Sequence, residues 1–90
     1  HYYAIPEPRL KIRDMKTRWG TCDVLTADVT LNKKIIRAPK KVIEMIIVHE
    51  LSHLVERDHN ARFYGVMTRV MPDWRVYEDH LNMISDKWFV

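Results

Sequence analysis

The chain has a single cysteine, Cys22, in 90 residues. An internal disulfide is therefore excluded, and the usage fits a reducing, cytoplasmic setting. It also lacks any run of ~18 apolar residues, so nothing in it reads as a membrane span. No signal-peptide pattern is visible. There is no internal repeat, no low-complexity stretch and no P-loop or other glycine-rich phosphate cradle. What remains is ordinary for a globular protein: 47% hydrophobic residues, 30% charged residues and two glycines. That length suits one small domain spanning residues 1–90, expected to be monomeric. The chain opens on His1 rather than Met, which suggests the C-terminal part of a longer protein. A domain this short buries only about two thirds of its unfolded surface and is marginally stable unaided. A bound metal is one source of help.

The net charge is +3. Positive residues gather at Arg9, Lys11, Arg13, Lys16 and Arg18, and again at Lys33, Lys34, Arg37, Lys40 and Lys41. The ordinary reading of such clusters is a solvated surface. The functional reading is attraction to a nucleotide or nucleic acid. Tyr2, Tyr3 and Trp19 lie nearby but are too few and irregular to argue base stacking.

Along the chain, a front half reads as extended and a back half as helical. Arg9 to Arg13 alternates polar and apolar residues, the mark of a half-buried strand. Pro6 and Pro8 discourage a helix before it. The stretch TRWGTCD reads as a turn or bulge around Gly20, and Asp28 to Asn32 reads as a second strand. The two strands are expected to pair as an antiparallel hairpin with a long connection. Pro39 fits a first helical position, opening a helix that runs from Lys40 to about Glu56. Ile43, Ile47, Leu51, Leu54 and Val55 share one broad side of it, while Met45 and Val48 extend its apolar character around the circle. Such a helix belongs in the middle of a domain. Asn60 can cap a second helix from Ala61 to Met71, which Pro72 stops. Asp73 can cap a third, from Trp74 to about Lys87. The fold class is α+β, a small antiparallel sheet packed on three helices.

The middle helix carries HELSHLVERDH, His49 to His59. Positions i and i+4 lie one turn apart on one helix face, so His49 and His53 can reach the same ion. Glu50 sits about 100° round, placed to reach a metal-bound water as a general base without being a ligand. A catalytic zinc needs a third protein ligand and an open position. His59, just past the expected helix end, is the best candidate. The 49–53–59 spacing equals that of H-E-x-x-H-x-x-G-x-x-H, but Glu56 replaces the glycine. Glu56 is the main rival ligand and Asp58 a weaker one. His80 reads as a surface or structural histidine, and His1 is uninformative. Histidines also occur in helices for packing alone. Here, burying three imidazoles and a carboxylate in so apolar a stretch costs several kcal/mol unless something satisfies them, which a metal does.

MKTRWGTCD, then VTLN, then APKKVIEMIIVHELSHLVERDHNARFY resembles the YgjP-like family of small zinc-dependent hydrolases, related to the WLM and SprT-like metallopeptidases. The resemblance runs from about Met15 to Trp74. It implies a zincin-like minimal domain with the HExxH helix packed on a small sheet. It also implies one zinc per chain on His49, His53 and His59, with Glu50 as general base. Arg18, Trp19, Gly20 and Cys22 match the family's second motif, expected near the cleft, and Asn32 matches its L-N position. Arg18, Trp19 and Asn32 are thus candidate substrate contacts. Their own chemistry leaves alternatives open. Trp19 and Phe63 fit a core. Arg18 suits either a substrate carboxylate or phosphate, or a plain salt bridge. Cys22 fits burial, since a fourth protein ligand would close the catalytic position. Asn32 suits satisfaction of backbone groups at a strand end.

The function expected is a zinc metallopeptidase acting on a peptide or protein, held by strand addition along Asp28 to Asn32. The alternatives are a metal-dependent nucleotide phosphohydrolase, a protease acting on DNA-associated proteins, and a purely structural zinc.

Overall fold

The computed structural model describes residues 9–88. His1, Tyr2, Tyr3, Pro6 and Pro8 lie outside the described residues. Three short strands, β1 (Leu10–Arg13), β2 (Gly20–Cys22) and β3 (Val29–Asn32), precede a 3-10 helix at Lys33–Arg37. Three helices follow: α1 (Lys40–Ser52), α2 (Ala61–Val70) and α3 (Trp74–Trp88). The α+β class and the three helices agree with the sequence reading, and so do two of the strands to within a residue.

The sheet departs from expectation in one respect. It is mixed rather than wholly antiparallel, in the order β1-β3-β2, with β1 parallel to β3 and β2 antiparallel to it. The cause is β2, which the sequence reading took for a turn around Gly20. With β2 present, the chain reverses twice between β1 and β3, and two reversals leave those strands parallel. β3 is therefore central, with both edges occupied. It cannot receive an added strand, which corrects the expected substrate-binding edge. Among the described strands, β1 and β2 carry the open edges.

Alternation explains β3. Val29 and Leu31 are buried toward the helices, and Asn32 is buried as the strand runs into the 3-10 helix. Asn32 ends the strand by several bonds at once. Its Oδ1 accepts from the Lys34 N–H at 3.0 Å, while its Nδ2 donates to the carbonyls of Met15 at 2.9 Å and Arg18 at 2.8 Å. Its own N–H donates to the Trp19 carbonyl at 2.8 Å. One buried amide thus ties the 15–19 segment to the end of β3.

α1 is the central element, packing against β2, β3, α2 and α3. Val42, Met45 and Ile46 are its most buried apolar residues, with Ile43, Ile47, Val48 and Leu51 partly buried around them. The side stressed by the sequence is therefore packed less deeply than the Val42–Met45–Ile46 side. An element clasped between a sheet and two helices buries both flanks. Each fully buried side chain of this size contributes about 1.5–3 kcal/mol. Pro39 occupies the N-cap position rather than the first turn, and its carbonyl accepts from the Val42 N–H at 2.9 Å.

α1 ends earlier than Glu56. Its last turn tightens into i→i−3 bonds, Leu54 N–H to Leu51 O at 3.0 Å and Val55 N–H to Ser52 O at 3.1 Å. The chain then bends, and Asn60 restarts it as α2, its Oδ1 accepting from the Phe63 N–H at 3.1 Å. The turn between the helices contains no residue with positive φ. That answers the missing glycine: this route from His53 to His59 needs no left-handed residue, so Glu56 fits without strain. Pro72 follows α2, as expected.

Candidate metal centre

The end of α1 and the bend after it bring three imidazoles together. The ligand atoms of His49, His53 and His59 all lie within 4.8 Å of one another. The Nε2 atoms of His53 and His59 are 3.1 Å apart. Two nitrogens bound to one tetrahedral zinc at 2.0–2.1 Å stand about 3.3 Å apart, so this pair is already near a chelating separation.

The tautomer of His53 follows from its other nitrogen. Nδ1 lies 3.0 Å from the Arg57 carbonyl, which can only accept, so Nδ1 carries the hydrogen. Nε2 is left with its lone pair directed at the cluster. A ligand histidine commonly has this arrangement, its outer nitrogen fixed by a carbonyl. His49 is held neutral at pH 7: burial, then the neighbouring His53 and His59, push its pKa down to about 4. A neutral imidazole is the form that binds a metal. The donor set therefore fits a zinc ion.

Glu56 is not in the cluster. Its carboxylate faces Arg62, Oε2 to Nε at 3.9 Å, and accepts from the Asp58 N–H at 3.5 Å. His80 is exposed on α3, and Asp58 is exposed in the bend.

Glu50 is half-buried beside the histidines. Burial raises its carboxyl above the usual carboxylate range, while His59 and Arg18 pull in the opposite direction. Gly20 makes room for it. A Cβ at Gly20 would stand 3.0 Å from the Thr30 carbonyl oxygen and 3.4 Å from both Glu50 Cγ and Ile46 Cγ2. The tight contact is with β3, and a residue without a side chain lets β2 pair this closely with it beside Glu50.

A cleft of about 640 Å³ opens over this group. His49, Glu50, His53 and His59 line it, with Arg18, Trp19 and Gly20 on one wall and Glu78, Leu81 and Asn82 of α3 on another. Arg18 and Trp19 are thus where the sequence reading expected them, and Trp19 packs on the core as well. Asn32 is a correction. It is fully buried, at 0% exposure, with both amide hydrogens directed to backbone carbonyls. It offers nothing to a substrate and acts on the cleft only through the segment it holds. Cys22 is half-buried against the core and outside the histidine cluster. Burial, then the carboxylates of Glu50, Asp23 and Asp28, push its thiol pKa up.

The α3 wall was not foreseen. Glu78 and Asn82 stand one helical turn apart, so a helical wheel puts them together, but nothing in their spacing from His49 ties that face to the metal.

Residues 2–83 match the family described as YgjP-like, metallopeptidase domain. A curated relative, UTP pyrophosphatase of Escherichia coli (strain K12), is 42% identical over 41 residues, 46% of this chain and 25% of that protein. The match thus spans about a quarter of the length of that relative. Two solved structures share the fold. The metallopeptidase zymogen abylysin of Pyrococcus abyssi superposes with a TM-score of 0.76 at 21% identity, covering 94% of this chain and 82% of that one. The zymogen jannalysin of Methanocaldococcus jannaschii gives 0.70 at 21% identity, covering 92% and 83%. With its match across residues 2–83, the chain belongs to the YgjP-like metallopeptidase family.

Proposed function

We propose that this domain is a zinc-dependent hydrolase that cleaves peptide bonds. The observation that carries the reading is the convergence of His49, His53 and His59 with Glu50 alongside them in one cleft. The three histidines would hold the ion. When bound, zinc supplies an acidified water and a Lewis acid for the bond under attack. Glu50 is placed to take a proton, and a carboxyl raised by burial is a better base than an exposed one. It can return that proton to the leaving amine. Arg18 on the cleft wall balances negative charge that develops on the substrate. A purely structural zinc would have no use for such a carboxyl. For an extended peptide, the suitable edge is β2, since Gly20 borders the cleft.

A second reading, hydrolysis of a nucleoside triphosphate, is favoured by two observations. Arg18 faces the cleft, and a relative 42% identical over 41 residues is called UTP pyrophosphatase. One experiment separates the readings. Zinc-loaded protein is given quenched peptides in one series and UTP in another, with product release followed in each. Peptide cleavage that Glu50→Gln abolishes supports the first reading. Pyrophosphate release that the same variant abolishes, with peptides untouched, replaces it with the second.

A further inference from the structure

Phe63 touches all three imidazoles. Its ring centroid lies 5.0 Å from that of His49, 4.6 Å from His53 and 4.9 Å from His59. His49 and His59 meet it edge-on, at 73° and 90°, and His53 is tilted at 40°. The phenyl ring is fully buried, at 0% exposure. The three histidines come from two places, α1 and the bend, while Phe63 belongs to α2. Its N–H also closes the Asn60 cap, which fixes where α2 begins and so where the bend carrying His59 must end.

We infer that Phe63 is a positioning residue for the metal: its ring sets the orientation of all three ligands at once. The inference rests on the metal reading above. An imidazole has two free torsions, and binding an ion from a disordered set costs the entropy of fixing each ring. A rigid flat surface against three rings removes that cost in advance, as outer-shell groups do for metal sites generally. His59 has most need of it, since it stands in an exposed bend. It meets Tyr64 as well, but less closely, at 6.5 Å between centroids. An aliphatic side chain of similar volume would keep most of the core packing, but it would not present an aromatic ring to three neighbours.

The test is zinc affinity, measured by competition with a chromophoric chelator, together with the visible spectrum of the Co²⁺-loaded protein. Phe63→Leu is expected to raise the zinc Kd about tenfold or more and to alter the Co²⁺ bands. Phe63→Tyr, which keeps the ring, should restore affinity. Met67→Ala, a core truncation one turn along α2, should lower the melting temperature and leave the Kd unchanged. Should Phe63→Leu fail to fold, Phe63→Met carries the same expectation. An unchanged Kd and spectrum in the folded Phe63 variant would overturn the inference, as would an equal loss in Met67→Ala. Wild-type protein that binds no zinc would overturn the metal reading itself, and this inference with it.

Discussion

Glu50 and His49 are neighbours in sequence, yet one helical step turns their side chains about 100° apart and gives them different tasks. His49 is a neutral donor, and Glu50 is a buried carboxyl beside the donors rather than among them. Glu50→Gln should therefore retain zinc at wild-type stoichiometry while hydrolysis falls about 100- to 10,000-fold. Metal analysis and turnover on the same preparation check both halves. Asn32 works at a distance. Asn32→Ala removes the bonds to the carbonyls of Met15 and Arg18 and from the N–H of Lys34, although the Met15 carbonyl still accepts from Lys34 Nζ at 3.3 Å. A lost hydrogen bond of this kind costs about 0.5–1.5 kcal/mol, so denaturant unfolding should show a loss of about 1–3 kcal/mol. Weaker substrate binding should follow, because the Arg18 carbonyl loses the side-chain bond that holds it, while the backbone bond to Trp19 stays.

At the scale of elements, the site depends on β2 lying close to α1. Gly20→Ala puts a methyl group 3.0 Å from a backbone oxygen of the central strand, which cannot yield as a flexible side chain would. β2 must shift against β3, which moves its position beside Glu50, at a cost of about 1–3 kcal/mol. The expected result is a lower melting temperature and reduced turnover with zinc still bound, read by calorimetry and metal analysis. This strand is also what the sequence concealed. Three residues, Gly20 to Cys22, are too short for alternation to register, and a glycine among them signals a turn. The parallel pairing of β1 with β3 followed from that omission. By contrast, α2 and α3 were legible because Asn60, Pro72 and the apolar spacing mark their ends chemically. His49, Glu50 and His53 were legible because i, i+4 geometry is local to one helix. The Glu78–Asn82 wall and the contact of Phe63 with the imidazoles were not, since both depend on how separate helices pack.

For the whole molecule, the proposed metal would share the work of stability with a small core. The apolar core runs from Val29 and Leu31 through α1 to Phe63, Met67 and Trp74, and it includes no disulfide among the described residues. A metal on His49, His53 and His59 would tie α1 to the bend before α2, and its removal would loosen the packing of one helix against the next. Chelation should lower the melting temperature, and stoichiometric zinc should restore it. An unaltered melting curve after complete removal of metal would place the site outside the folding unit. No helix among the described residues is long and apolar enough to cross a membrane.

Metal analysis of His59→Ala beside Glu56→Ala tests the central claim most directly. Zinc held by His49, His53 and His59 predicts about one ion per chain in the wild-type protein and in Glu56→Ala, with affinity lost in His59→Ala. Zinc retained by His59→Ala and lost by Glu56→Ala would contradict it.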